Sequence, residues 1–116
     1  MKKNFISQKE EKVVLKEKSR STIVDMEKIT HLTCDGYLTT IHAIDRENVT
    51  VSKLLKHFEM ELIEYGFIRA NHNTIVNISK IDTFQEGKKR RILLIKTVEI
   101  KISRRKMYIF KTIFEN

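Results

Sequence analysis

What most constrains the fold of this chain is how short its apolar runs are and how regularly polar residues cut them. Val13-Val14-Leu15, Thr74-Ile75-Val76 and Ile92-Leu93-Leu94-Ile95 are each bounded by charged or turn-forming residues. Such a pattern suits short strands rather than long helices. Helical spacing occurs in two places. Leu54, Leu55, Phe58 and Leu62 recur every three or four residues after Ser52, a favoured N-cap, and Tyr65-Gly66 supplies the stop. Residues 104–114 close the chain as a short helix or strand, and the helical spacing of Met107, Phe110, Ile113 and Phe114 favours the helix. The fold class read from this is mostly β, with small antiparallel sheets and one or two short helices.

The strands follow from the same pattern. Residues 12–16 predict a first strand and Ser19-Arg20-Ser21 a turn, with short strand or turn segments at residues 23–26 and 29–32. Cys34-Asp35-Gly36 reads as a turn, because Asp and Gly tolerate positive φ. Residues 37–44 should form a strand with Leu38, Thr40 and His42 on one face and Tyr37, Thr39, Ile41 and Ala43 on the other. A loop at residues 45–48 leads into Val49-Thr50-Val51. Residues 67–70 and 75–78 carry the core on either side of a polar interruption, and residues 81–84, 91–95 and 98–102 read as a meander turning at Gly87 and at Lys96-Thr97.

At 116 residues the chain is sized for one domain, residues 12–116, behind a flexible tail at residues 1–11. A chain this long buries roughly 65% of its unfolded surface, enough for one modest core. No apolar stretch approaches the ~18 residues a membrane span needs, and the charged run after Phe5-Ile6 does not fit a signal peptide. Cys34 is the one cysteine, so no internal disulfide can form. Its Thr33 and Asp35 neighbours suit a half-buried strand-end residue better than a nucleophile. These features place the chain in the cytoplasm.

Charge is unevenly distributed. Residues 1–65 hold 11 Lys+Arg and 11 Asp+Glu, whereas residues 66–116 hold 12 and 4, so the second half carries the whole net charge of +8. That asymmetry points to a polyanionic partner. Enzyme chemistry finds little support: there is no Gly-rich phosphate loop, and the histidines at 31, 42, 57 and 72 show no metal-ligand spacing with the cysteine. No catalytic residue, cofactor or metal is expected. Glu59, Glu61 and Glu64 read as the solvated face of the Ser52 helix.

Three polar segments remain. Asn71-His72-Asn73 interrupts a strand pattern with three hydrogen-bonding side chains. These could address a base edge or a phosphate, or form a polar turn in which Asn caps the backbone. Arg104-Arg105-Lys106 follows an apolar run and suits guanine or phosphate, or simply opens a solvated helix. Lys88-Lys89-Arg90-Arg91, at a hairpin tip, fits non-specific phosphate attraction as well as plain solvation.

Phe67-x-Arg69-x-Asn71-His72-Asn73-x-x-Val76-Asn77-x-x-x-Ile81, followed by Ile102-Ser103-Arg104-Arg105-Lys106, resembles the LytTR family, the DNA-binding output domain of many bacterial response regulators. The resemblance extends over roughly residues 12–114, with Asp25-x-x-x-Ile29 and Tyr37 in support. It implies small antiparallel sheets that present loops to successive major grooves of double-stranded DNA, commonly at paired promoter repeats where a second copy can sit alongside. By position, the contact loops would be Asp35-Gly36-Tyr37, then His72 with Asn73, then Arg104 with Arg105; Asn71 and Ser103 belong to the same segments. Arg69, Lys101, Arg105 and Lys106 would meet phosphates, Arg69 and Asn77 would brace the loop or touch phosphate, and Phe67, Val76 and Ile81 would be core.

Two departures from the family stand out. His72 occupies a place where Arg or Lys is usual, which weakens the charge there and makes pH-sensitive binding an expectation. The residues before the module are too few for a receiver domain, and Met1 with the basic tail leads to the expectation of a stand-alone regulator rather than a domain cut from a longer protein. Two other classes compete with a DNA reader. An RNA-binding module would stack bases on Tyr37 and Tyr108. A protein-interaction or membrane-associated basic domain would keep the fold and lack the DNA function.

Overall fold

The computed structural model describes residues 11–115; the expected tail at residues 1–11 lies outside them except for Glu11. Strands β1 (Lys12–Glu17) and β2 (Arg20–Asp25) form a two-stranded sheet. The central sheet has the order β5-β4-β3-β7-β6, built from β3 (Ile29–Asp35), β4 (Leu38–Ala43), β5 (Val49–Val51), β6 (Phe67–Asn71) and β7 (Thr74–Asn77). A third sheet holds the expected meander, β8 (Ile81–Gln85), β9 (Arg91–Leu94) and β10 (Val98–Lys101). Every pairing among them is antiparallel. Helix α1 (Leu55–Leu62) joins β5 to β6, and α2 (Met107–Phe114) closes the chain, so the fold is mostly β with two short helices. No helix among the described residues is long and apolar enough to cross a membrane.

The core is not the single cluster expected from chain length. The central sheet divides it, because successive residues of a strand point to opposite faces. On one face, Leu32, Ile41, Phe67 and Ile75 pack with Leu55, Phe58 and Leu62 of α1 and with Leu15 and Val24 of the two-stranded sheet. On the other, Ala70 and Val76 pack with Ile92, Leu94, Ile100, Ile102 and Phe110. All four residues of β7 are consequently buried, which explains why Thr74-Ile75-Val76 reads as a continuous rather than an alternating run.

Several local expectations shift. Ser52 does not cap α1: the helix begins at Leu55 behind an extended Leu54, without a side-chain cap. Residues 52–54 are instead used to leave the sheet, where Thr39 Oγ1 donates to the Lys53 carbonyl at 2.5 Å. Leu54 therefore stands outside the apolar stripe and is 42% exposed. Glu59 is only partly solvated, because it turns toward β6 and pairs with Arg69. Turns also move by a residue or so. Lys18 (φ 51) takes the first turn, leaving Arg20 paired with Glu17, and Gly36 (φ 63) with Tyr37 takes the second, leaving Asp35 in β3. Ile95 (φ 42) and Lys96 (φ 65) take the β9–β10 turn, which starts one residue before the expected Lys96-Thr97. Gly66 (φ 87) ends the helical segment as anticipated.

Register also creates a contact invisible in sequence. His31 of β3 lies opposite His42 of β4, and their rings stack at 4.1 Å between centroids. Thr30 Oγ1 donates to the His42 carbonyl and lies 2.8 Å from His31 Nδ1, while Thr33 Oγ1 lies 2.9 Å from His42 Nε2. Burial, reinforced by the neighbouring His42, pushes the His31 imidazole down to about 4; burial also lowers His42.

Candidate nucleic-acid interface

Antiparallel pairing of β3 with β7 brings two hairpin tips to the same end of the central sheet. Thr33 lies opposite Thr74, so the Gly36-Tyr37 turn and the His72-Asn73 turn are neighbours. The Cys34 amide donates to the Asn73 carbonyl at 3.1 Å and ties them together. Cys34 itself is the half-buried strand-end residue expected.

The β6–β7 hairpin is braced by the side chains flanking its tip. Arg69 donates from Nε to the Asn71 carbonyl (3.0 Å), from Nη2 to the His72 carbonyl (2.6 Å) and from Nη1 to Glu59 Oε1 (2.7 Å). A planar guanidinium fork can fix three acceptors at once. Asn71 Oδ1 accepts from the Asn73 amide at 3.0 Å, so this Asn does cap the turn backbone. Its Nδ2 donates to the Lys101 carbonyl at 2.6 Å. His72 and Asn73 are left exposed at the tip.

That last bond delivers the third segment. The Ser103 amide donates to the Ala70 carbonyl at 2.9 Å, extending the contact between β6 and the chain that leaves β10. Ile102, fully buried in the second core, anchors this stretch. A single helical turn, Arg104–Lys106, then leads into α2 and displays Arg104 and Arg105 to solvent, with Lys106 half-buried. Lys101 is exposed as well. Among the described residues none of these four cations forms an ion pair. An open cleft of about 620 Å³ runs between the second and third segments, bounded by Arg69, His72, Arg105, Lys106 and Tyr108.

The candidate residues thus divide. Asp35, Tyr37, His72, Asn73, Ser103, Arg104, Arg105, Lys106 and Lys101 gather around one end of the sheet, while Arg69 and Asn71 lie among them with their polar atoms already engaged. Asn77 cannot touch a phosphate. It is fully buried, donates to the Ile29 carbonyl at 2.7 Å and accepts from Ser79. Glu59 was missed by sequence reasoning, since its role depends on α1 crossing β6. Tyr37 is 82% exposed and Tyr108 69%, and they stand on different segments. Among the described residues, no group of three or more His, Cys, Asp or Glu could hold a metal ion.

The sequence model for the LytTr DNA-binding domain matches residues 19–115. Among solved structures, a LytTr DNA-binding domain of a protein described as a methyl-accepting/DNA response regulator from Bacillus cereus superposes with a TM-score of 0.74 at 20% identity. The match covers 90% of this chain and 97% of that one. No curated protein matches the sequence. The fold agrees with that of the solved domain, and the sequence match spans most of the chain: this protein belongs to the LytTR family of DNA-binding domains used in transcription regulation.

Proposed function

We propose that this chain reads duplex DNA sequence-specifically, with loops at one end of its central sheet entering the major groove. The observation that carries the proposal is the convergence of three segments remote in sequence. They are held by the Cys34–Asn73, Asn71–Lys101 and Ala70–Ser103 hydrogen bonds, with unpaired cations beside them. Rigid placement matters because a side chain reads a base edge only when its backbone is held in register.

On this reading Arg104 addresses guanine bidentately, and His72 and Asn73 address bases or adjacent phosphates from the second tip. Asp35 and Tyr37 supply the first contact. Lys101, Arg105 and Lys106, with the Ser103 hydroxyl, hold backbone phosphates. Arg69 and Asn71 contribute indirectly, by holding the tip in shape. Paired promoter repeats would allow a second copy to bind alongside. In a cell, such a protein acts on DNA in the cytoplasm, without catalysis.

Selection from a randomised duplex pool at near-physiological salt tests the proposal. Enrichment of a short motif is expected, and Arg104→Ala should lose about 1–3 kcal/mol of affinity and relax preference at one position. Salt-sensitive retention with no enriched motif would overturn sequence reading. Tighter binding to single strands than to duplex would favour an RNA-type partner.

A further inference from the structure

Resting on the duplex-DNA reading above, we infer that the β8–β9 tip forms, together with Lys101, a further phosphate-binding site that extends the loops' grip along the DNA backbone. The tip spans residues 86–90 between Gln85 and Arg91 and carries Lys88, Lys89 and Arg90, with Gly87 (φ 87) making the turn. Its position is what distinguishes it from a solvated charge run. The Ile102 amide donates to the Arg90 carbonyl at 3.0 Å, and Arg90 Nε donates back to the Ile102 carbonyl at 3.1 Å. This reciprocal pair lays the tip against the segment that leads to Arg104. Between them lies a groove of about 250 Å³ bordered by Lys88, Lys89, Arg90 and Lys101.

Nearby carboxylates do not cancel this charge. Glu99 borders the groove but is neutralised by Arg91 Nη1 at 2.5 Å, while Glu86, which does not line the groove, shares Lys111 at 3.4 Å with Glu115. Lys88, Lys89 and Lys101 have no ion-pair partner among the described residues. Flexible ammonium groups around a shallow groove suit backbone phosphates, which need point charges, better than base edges, which need a fixed fork. Lys101 precedes Arg104 by three residues, at most about 10 Å of extended chain. A major groove is about 12 Å wide. A cation within that reach of a base-reading arginine can meet the phosphate wall of the same groove.

Fluorescence anisotropy of the full chain tests this across a salt series, on the selected duplex and on an unrelated duplex of equal length. Lys88→Ala/Lys89→Ala should weaken both duplexes by a similar factor and reduce the slope of log K against log salt by about 2, at roughly 0.9 per phosphate lost. Lys80→Ala/Lys96→Ala removes equal charge near the other end of β9, where the Ile95 amide donates to the Lys80 carbonyl, and should leave the slope unchanged. Lys88 and Lys89 are exposed, so unfolding should not change; Lys88→Gln/Lys89→Gln repeats the charge loss with longer side chains. An unchanged slope in the tip variants, or equal losses in both pairs, overturns the site while leaving the DNA reading intact. A wild-type chain that binds neither duplex removes the DNA reading, and the site with it.

Discussion

Acidification should destabilise this domain through His31 before its carboxylates contribute. His31 is only 7% exposed and stacks on His42, and both environments favour the neutral ring. Its pKa is held at about 4 against 6.5 for an unperturbed histidine. A folded-state pKa below the unfolded value means the unfolded chain binds the proton first. Stability is therefore full above 6.5 and is lost as pH falls toward 4. At about pH 5 the unfolded ring is almost wholly charged and the folded one almost wholly neutral. Linkage gives a loss of about 2 kcal/mol relative to about pH 7.5. His42, shifted in the same direction, adds to it. Asp25 is also lowered, chiefly by Lys12, but it titrates below its ordinary 3.8 and stays outside this window. Urea unfolding followed by circular dichroism at the two pH values measures the loss. His31→Phe keeps an aromatic ring against His42 without the proton site, so it should show a clearly flatter pH dependence whatever its absolute stability. Equal pH dependence in the two proteins would refute the assignment to His31.

Two further outcomes separate bracing from reading. Arg69→Ala removes two donors to the β6–β7 tip and the partner of Glu59; it should cost about 1–3 kcal/mol of stability and also weaken DNA binding, with Arg69→Lys unable to restore the fork. Thermal unfolding and anisotropy on the same preparations check both effects. Asn77→Ala leaves the buried Ile29 carbonyl without its donor and should cost about 1–3 kcal/mol in urea unfolding, while the salt slope of DNA binding stays at the wild-type value.

Much of the architecture was legible because the strands are short and their edges polar. The 37–44 strand, with Thr39 and Ile41 on its buried face, and the three-stranded meander follow from period-two patterning and turn residues alone. Ser52 misled because capping propensity is local, while the Thr39–Lys53 contact that draws those residues into the exit from the sheet is tertiary. The His31–His42 stack depends on strand register, and the Arg69–Glu59 pair on a helix crossing a strand; neither leaves a mark in a linear pattern. The candidate site was legible as a set of segments but not as a division of labour. Asn71 and His72 look alike as polar interruptions, and only the Lys101 and Asn73 backbone contacts reveal that Asn71 is occupied.

On the proposed reading, that division bears on how a small β domain would read DNA through loops. A hairpin tip is ordinarily among the more mobile parts of a fold, and ordering it on binding costs affinity. Here the polar side chains around the tip act before DNA arrives: Arg69 closes on two tip carbonyls, and Asn71 links the tip to the chain after β10. The residues left over, His72 and Asn73 on one segment and Arg104 and Arg105 on another, project from backbone already fixed in relative position. On the proposed reading, specificity rests on those few side chains, while affinity comes from cations spread along Lys101, Lys106 and the β8–β9 tip. The two quantities should then be separable by mutation: a change at Arg104 alters which sequence is bound, and a change at Lys88 and Lys89 alters only how tightly any duplex is held.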